Sequence, residues 1–376
     1  MEGIIMKKAI IIFLVLSISL ISATCLVEDK LKVPFQSYVP VDIGDDWEIA
    51  TPDSVGINGE ELKTIYKYVH DSDDYWQIRS LLIIKDDKLV SESYMKDPGD
   101  RTRPINIWSC TKQVVGILTG IAVDQDLISL DDPISKFFPH APPEKRGITI
   151  ENLLMMQSGI NYVNEGLSGD NFKHIFRQKP SSLHNFVLGL KMESLPGTKF
   201  FYNDGNTHLV SAILQEVTGK TLRDWAWEEL FNKIGINRLE WHTYKDGTTL
   251  GGHGILTTPR ELAKFGKLIL DKGIWEGQQI VSSKWIDEMT SSKVIVDEGI
   301  IGSYKYTTTF GYLWWQSLFD DPTLNDVFMS GSGGQLLVIN ESKNLIIVMT
   351  AEPNTQGKAG YWDINSIVDR IYKITN

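Results

Sequence analysis

Apolar side chains recur along this chain at two different spacings, one typical of helices and one typical of strands. After Asn58, a residue type that favours the position just before a helix, apolar side chains follow at Leu62, Ile65, Tyr66 and Val69. These positions lie three or four residues apart, so they share one face of a helix. The pattern predicts an amphipathic helix near the start of the folded part of the chain.

Strand-like runs cluster toward the two ends of the chain. Residues 78–84 and 89–94 are rich in β-forming residues, and the polar segment 85–88 between them predicts an antiparallel hairpin. Residues 335–339 and 345–350 predict two further strands around a polar turn. Strands from both ends are therefore expected to form one antiparallel sheet.

Helices are predicted between these strands and at the C-terminus, over residues 109–123, 206–218, 260–270, 283–289 and 361–374. The helix over 109–123 is apolar on almost every side, which predicts a buried position. Several prolines break the region of about 130–240 into short helices. The expected fold class is α+β: an antiparallel sheet formed by the N- and C-terminal segments, flanked by helices, with an inserted and mainly helical region.

The first residues have the pattern of a targeting segment. Lys7 and Lys8 precede an uncharged run over 9–27, in which small residues follow the apolar core at 22–24. This is the order of regions in a secretory signal peptide. The alternative is a retained anchor helix, because the run is just long enough to span a bilayer.

These patterns predict three parts of the chain. Residues 1–27 are a signal peptide or membrane anchor, residues 28–45 are a linker, and residues 46–376 are the folded domain with its helical insertion at about 130–240. A chain with this leader is expected outside the cytoplasm, either secreted, periplasmic or anchored at the cell surface through residues 9–27.

Composition and charge narrow the classes of function. Apolar residues make up 42% of the chain and charged residues 23%, as in ordinary soluble domains. With 48 acidic and 37 basic residues, the net charge of −11 argues against a nucleic-acid partner. Two cysteines cannot form a disulfide framework, and the seven histidines are scattered without a His-Glu-x-x-His pattern. We therefore expect no metal and no cofactor, and the sequence leaves the oligomeric state open.

Candidate chemistry lies where the buried helix begins, at Ser109 and Lys112. A serine at a helix N-terminus lies near free backbone N–H groups, which can stabilise a developing negative charge. Lys112 lies three residues further on, so it shares a helix face with Ser109 and can reach its hydroxyl. Ser93 and Lys96 have the same spacing but lie in a predicted strand, where residues three apart point to opposite faces. The alternative role for Ser109 is that of a simple helix cap.

Two further motifs follow Ser109-x-x-Lys112 in the chain: Pro196–Asp204 and the small-residue run Met329–Gln335. In this order and spacing, the three motifs resemble the serine β-lactamase and penicillin-binding-protein-like family. The most similar branch contains class C β-lactamases and related serine esterases, DD-peptidases and amide hydrolases. Supporting stretches lie at 148–160, 251–266 and 311–315. The resemblance covers the chain from about residue 46 to its end.

The resemblance implies a role for each matching residue. Ser109 would be the acylated nucleophile, and Lys112 would help to deprotonate it. Tyr202 matches the tyrosine that acts as partner base and then as acid toward the leaving group. The oxyanion hole would combine the N–H of Ser109 with an N–H on the third-motif strand, that of Ser332. The substrate backbone would lie along the small residues Ser330, Gly331, Ser332 and Gly333.

Two positions depart from the family's pattern. Asp204 stands where the second motif usually ends in Asn, and a carboxylate near Lys112 would favour the charged ammonium. Met329 stands where the third motif usually begins with Lys or His, so the natural partner of a substrate carboxylate is missing. Arg260 or Lys199 would have to supply that cation from another direction.

These departures favour an exported serine hydrolase that cleaves an ester or amide through an acyl-enzyme and is a poor β-lactamase. Its partner would be a small-molecule or peptide-like substrate that is neutral or cationic. Two alternatives stay open. One is a non-catalytic penicillin-binding or sensor-like module of the same fold, and the other is a true class C-like β-lactamase or DD-peptidase.

Other residues near the motifs have two interpretations each. Cys110 does not share the helix face of Lys112 and is expected to be a small buried residue. His253 lies in Gly-Gly-His-Gly and is either a cleft residue or a structural turn residue. Three tryptophans could line an acyl pocket or pack in the core: Trp108, Trp314 and Trp315.

Overall fold

The computed structural model describes residues 32–162, 180–296, 308–316, 324–352 and 364–376. The predicted signal peptide or anchor at 1–27 lies outside these residues, as do the first residues of the predicted linker. Within the described ranges, no helix combines the length and apolar character needed to cross a bilayer.

The regular elements are numbered here in chain order. The α-helices are α1 (Gly59–Asp71), α2 (Thr111–Asp124), α3 (Ile150–Leu154), α4 (Leu183–Gly189), α5 (Asp204–Thr218), α6 (Leu222–Ala226), α7 (Pro259–Leu270), α8 (Ser283–Met289) and α9 (Ile364–Lys373). The strands are β1 (Ile78–Lys85), β2 (Lys88–Tyr94), β3 (Ile105–Asn106), β4 (Leu239–Trp241), β5 (Ile255–Thr257), β6 (Ile274–Trp275), β7 (Gln278–Gln279), β8 (Val294–Val296), β9 (Thr308–Phe310), β10 (Trp315–Gln316), β11 (Asp326–Gly331), β12 (Gln335–Asn340) and β13 (Leu345–Ala351).

Both chain ends contribute to one antiparallel sheet. Among the described residues its order is β2-β1-β13-β12-β11-β10-β9-β8, so the N-terminal hairpin pairs directly with the C-terminal strand. The register between β1 and β13 sets Leu82 opposite Val348. This arrangement confirms the predicted α+β fold and the sheet built from both ends of the chain.

The strands that the sequence did not predict are short. Strands β3, β4 and β5 form a small separate sheet, and β6 pairs with β7. These strands and β8, β9 and β10 are only two or three residues long. A run of that length is too short to show the alternation that identifies a strand in a sequence.

Small residues allow the helices to approach their neighbours closely. Helix α7 packs on β12 and β13, where a Cβ on Gly266 would lie 2.9 Å from Ile346 Cγ2. Helix α2 is buried along nearly its whole length, as predicted, and packs against α5 and α8. A Cβ on Gly120 would lie only 2.1 Å from the Trp285 ring, so α8 contacts the α2 backbone directly.

Residues 32–48 carry no helix or strand, but they pack on the domain. The ring of Tyr38 stacks on that of Tyr66 in α1. Further along, Asp45 binds Arg260 of α7 at 2.8 Å, and the same guanidinium binds Glu92 of β2 at 2.7 Å. Arg260 is almost fully buried and therefore joins three parts of the chain.

Candidate active site

Ser109 lies in a 3₁₀ turn, Trp108–Cys110, that leads directly into α2. The turn begins with Trp108 at a φ of +49°, a left-handed conformation that costs energy for a non-glycine residue. The Trp108 N–H donates to Asn106 Oδ1 at 2.8 Å, which holds this conformation. As a result Ser109 is partly exposed, while Cys110 beside it is buried.

Lys112 is fully buried below Ser109 and is surrounded by acceptors. Its Nζ lies 3.0 Å from Ser109 Oγ, 2.7 Å from the carbonyl oxygen of Gly252 and 2.5 Å from Asp204 Oδ1. Burial alone would lower the pKa of Lys112, but the neighbouring Asp204 and Tyr202 oxygens outweigh it and hold the pKa above its usual value. The three N–H groups of an ammonium match this set of acceptors.

Tyr202 completes the group around the serine. Its hydroxyl faces Ser109 and Lys112, and its ring packs against Trp315 with centroids 5.6 Å apart. Burial raises the pKa of Tyr202 above its usual value, although the charge of Lys112 partly opposes that shift. The structure therefore brings Ser109, Lys112 and Tyr202 together, as the sequence predicts, with Tyr202 as a neutral phenol.

Asp204 begins helix α5 and points into the site. Asn203 caps this helix by accepting a hydrogen bond from the N–H of Asn206, which sets the direction of the first turn. Asp204 Oδ1 faces Lys112, and Asp204 Oδ2 lies 3.3 Å from His253 Nδ1. Burial alone would raise the pKa of Asp204, but Lys112 and His253 outweigh it and hold the pKa well below its usual range. The Asp204 carboxylate is therefore charged and paired.

The loop Gly251–Gly254 packs against helix α5 and contacts Lys112 and Asp204. A Cβ on Gly251 would lie 2.1 Å from the Thr207 carbonyl oxygen, and one on Gly252 would lie 2.6 Å from Asp204 Cβ. Only glycine allows this loop to lie so close to helix α5. The approach delivers the Gly252 carbonyl to Lys112 and the His253 ring to Asp204. In the sequence, the Gly-Gly-His-Gly run marked this loop, but it did not show that Lys112 and Asp204 are its partners.

The third motif lies beside the turn that carries Ser109, but one of its residues, Ser332, does not lie where the sequence predicts. A Cβ on Gly331, the last residue of β11, would lie 2.3 Å from the Ile107 carbonyl oxygen, so the strand end touches the turn that carries Ser109. Ser332 was expected on this strand, and that placement is wrong. It is an exposed residue in the turn after β11, where Gly333 and Gly334 have positive φ and redirect the chain. Ser330 is half-buried within β11.

Met329 offers no charge to the cleft. Residues two apart in a strand share a face, so Met329 lies on the same side of the sheet as Gly331. Its side chain is fully buried. Arg260 is bound by Glu92 and Asp45, and it therefore does not replace the missing cation.

The competing residues near the motifs have structural roles. Cys110 is buried, its Sγ donates to the Gln335 carbonyl oxygen at 3.8 Å, and burial raises the pKa of its thiol. Lys96 of the second Ser-x-x-Lys pattern binds Glu352. Trp314 is fully buried in the core, whereas Trp315 supports the Tyr202 ring.

The fold and these residues define a hydrolase of the β-lactamase fold. The chain matches the model of the Beta-lactamase family over residues 79–365, and it belongs to that family. The 6-aminohexanoate-dimer hydrolase of Paenarthrobacter ureafaciens is 23% identical over 297 residues, which cover 74% of this chain and 74% of that protein.

Solved structures agree on the fold. The putative 6-aminohexanoate-dimer hydrolase from Bacillus anthracis superposes with a TM-score of 0.67 at 18% identity, over 93% of this chain and 91% of that one. The D-amino acid amidase from Ochrobactrum anthropi SV3 superposes with a TM-score of 0.63 at 17% identity, over 84% of this chain and 98% of that one. The family resemblance read from the motifs is thereby confirmed.

Proposed function

We propose that this protein is a serine hydrolase that cleaves esters or small open-chain amides through an acyl-enzyme on Ser109. The observation that carries the proposal is that Lys112 and Tyr202 both face the Ser109 hydroxyl. Lys112 Nζ lies 3.0 Å from the Ser109 oxygen, and the Tyr202 hydroxyl faces the same oxygen. A nucleophile held by two proton-handling groups is the arrangement that covalent catalysis needs.

Acylation follows from the charges of these groups. Ser109 Oγ attacks the substrate carbonyl carbon, and a carbon–oxygen bond forms as the bond to the leaving alcohol or amine breaks. The charged Lys112 has no lone pair with which to accept a proton. The serine proton therefore passes to the Tyr202 oxygen in the same step in which Tyr202 gives its own proton to the leaving group, so Tyr202 stays neutral. Lys112 stabilises the negative charge that develops on the Ser109 and Tyr202 oxygens.

Deacylation reverses the roles. Water loses a proton toward Tyr202 as it attacks the ester carbon, and Ser109 recovers its hydrogen as the acid leaves. The N–H of Ser109 would bind the developing oxyanion, and the turn after Gly331 is the proposed source of the second donor.

The proposed substrate class rests on the charges near the serine. A β-lactam brings a carboxylate, which needs a cation or several donors worth roughly 1.5–3 kcal/mol each. Met329 supplies neither a cation nor a donor. The negative charge of Asp204 already neutralises Lys112, so the ammonium is not free to pair with a substrate carboxylate. The names of two similar proteins, a 6-aminohexanoate-dimer hydrolase and, among the structural neighbours, a D-amino acid amidase, support an amide over a β-lactam. We expect penicillins to be turned over about 10²–10³-fold less efficiently than short esters or amides.

A fluorophosphonate probe tests the nucleophile. Intact-mass spectrometry should show one adduct on the unmodified protein and none on Ser109→Ala. Ser93→Ala is the matched control, because Ser93 lies in the other Ser-x-x-Lys pattern, and it should still be labelled. Hydrolysis of p-nitrophenyl esters by Ser109→Ala would place the nucleophile elsewhere.

Two further variants test the proton path. Tyr202→Phe keeps the ring packing on Trp315 but loses the hydroxyl, and Lys112→Ala removes the cation. Each should lower kcat/KM for an ester by about 10²-fold or more. Tyr244→Phe is the control, because its hydroxyl bonds to the Pro180 carbonyl oxygen away from Ser109. Nearly full activity in Tyr202→Phe would refute the proposed proton path.

A non-catalytic binding module is the second candidate, and the ion pair between Lys112 and Asp204 favours it. An ammonium is not a base, so a site built only to bind could have this pair. Penicillin would then acylate Ser109, or a fluorophosphonate would phosphonylate it with loss of fluoride, without turnover. Turnover of a panel of p-nitrophenyl esters and anilides by the unmodified protein, lost in Ser109→Ala, decides against this candidate. Stoichiometric labelling with no turnover decides for it.

A further inference from the structure

Two histidines lie beside Asp204. His208 follows Asp204 by four residues on α5 and therefore shares its helix face. His253 arrives from the loop Gly251–Gly254, and its Nδ1 lies 3.3 Å from Asp204 Oδ2. One ligand-type atom from each of the three residues lies within 4.8 Å of the other two.

His208 gives an independent reason to expect a ligand here. Its side chain has no exposed surface, and neither ring nitrogen has a hydrogen-bond partner within the described residues. The hydroxyl of Tyr162, whose ring packs edge-on against His208, is buried and likewise has no partner in those ranges. Buried polar groups are nearly always satisfied by protein, water or an ion.

We propose that Asp204, His208 and His253 form a site for a divalent transition metal, with Zn²⁺ the best fit. Two imidazoles and one carboxylate are a ligand set that zinc accepts, and a water molecule can complete the tetrahedron. Two ligands of a tetrahedral zinc ion lie about 3.3 Å apart. The contact between Asp204 and His253 already has that separation. Rotation of the side chains by about 1.5 Å brings the widest pair into range.

The ion would share Asp204 with Lys112. Asp204 Oδ1 faces the Lys112 ammonium, which leaves Oδ2 for the metal. The nearby positive charge repels a divalent ion, so its affinity is lower than that of a site without such a neighbour. Since α5 and the loop Gly251–Gly254 both supply ligands, the ion links these two segments. The proposal does not depend on turnover at Ser109.

The test uses the full chain, stripped with EDTA and then titrated with ZnCl₂. We expect one equivalent of zinc to survive gel filtration, as measured by metal analysis, and the thermal midpoint to rise and to fall again with EDTA. Co²⁺ should give the visible absorption of a tetrahedral site. Binding of less than about a tenth of an equivalent, with no change in midpoint, would refute the site and assign a water molecule to His208 instead.

Histidine variants locate the ion. His208→Gln and His253→Gln should each lower zinc retention at least tenfold and abolish the rise in midpoint. His140→Gln is the matched control, because His140 is an exposed histidine that bonds Asn185 at the surface. If His208→Gln does not fold by circular dichroism, His253→Gln in the loop gives the result. Undiminished zinc retention by a folded His253→Gln variant would overturn the assignment.

Discussion

Asp204 decides the charge state of the residues around Ser109. Its carboxylate lies 2.5 Å from Lys112 Nζ and is itself fully buried, so neither charge is screened by water. The pKa of Lys112 rises and that of Asp204 falls because of the pairing. Lys112 therefore acts as a fixed positive charge in the proposed reaction.

Replacement of Asp204 by Asn tests this role through the pH profile. Asn cannot offset the burial of Lys112, so the pKa of Lys112 should fall. If catalysis needs the ammonium, activity is lost as the pH rises through that pKa. The alkaline limb of kcat/KM should then move to lower pH in Asp204→Asn. Asp287→Asn, at an exposed ion pair with Lys272, should leave the profile unchanged. Higher activity of Asp204→Asn at neutral pH would instead identify neutral Lys112 as the base.

At the scale of elements, the contact between α5 and the loop Gly251–Gly254 holds the site together. Helix α5 contributes Asp204, the loop contributes the Gly252 carbonyl oxygen, and both meet at Lys112 of α2. The helix and the loop touch at backbone distance, since glycine at 251 and 252 leaves no side chain between them. Small movements of this loop should therefore affect catalysis.

Gly252→Ala should disturb the contact directly. The added Cβ would lie 2.6 Å from Asp204 Cβ, and the loop must move to relieve that overlap. We expect a loss of about 1–3 kcal/mol in the free energy of unfolding and at least a tenfold loss of kcat/KM. Gly189→Ala is the matched control, because nothing lies within 4 Å of its added Cβ. Urea denaturation and ester kinetics measure both effects, and an unchanged Gly252→Ala would contradict the packing argument.

For the whole molecule, Arg260 joins segments that are far apart in the chain. It binds Asp45 near the start of the domain and Glu92 in β2, while its own backbone carbonyl accepts from Trp47 Nε1. The guanidinium outweighs burial and holds the pKa of Glu92 below its usual value. This stabilisation is present above the unfolded pKa of Glu92 and is lost as the pH falls through its folded pKa.

Arg260→Met should lower global stability. The variant leaves Glu92 buried, with Arg101 as its remaining cation among the described residues, and breaking a buried pair of this kind costs about 3 kcal/mol. Arg223→Met is the matched control, since Arg223 and Asp224 form an exposed pair worth at most about 1 kcal/mol. Denaturation by urea at neutral pH compares the two. Equal free energies of unfolding for the two variants would show that Arg260 does not stabilise the domain by joining these segments.

The targeting segment gives a prediction for the full-length chain. Lys7, Lys8 and the apolar run over 9–27 should direct export. A protein with a C-terminal tag should be found in the medium or the cell envelope. Mass spectrometry of its N-terminus then separates cleavage near 22–24 from a retained anchor. A soluble cytosolic product of full length would contradict the prediction.

Local patterns in the sequence were enough to predict the long helices and strands and part of the candidate site. The hairpin of β1 and β2, strands β12 and β13 and the buried helix α2 follow from alternation and helical spacing, which depend on neighbouring residues. The pairing of Ser109 with Lys112 needs only one helical turn. Tyr202 was identified through the family's motifs and not through spacing.

The remaining features of the candidate site were decided by packing between segments that are distant in the chain. The ion pair of Lys112 with Asp204, the close approach of the Gly252 loop and the grouping of His208 with His253 join residues that no local period relates. The turn that removes Ser332 from β11 depends on positive φ at Gly333 and Gly334. Such contacts arise from chain folding in three dimensions. The family's motifs suggested a charged Lys112, but the pairing with Asp204 that fixes its charge and the candidate metal ligands emerged only from the tertiary structure.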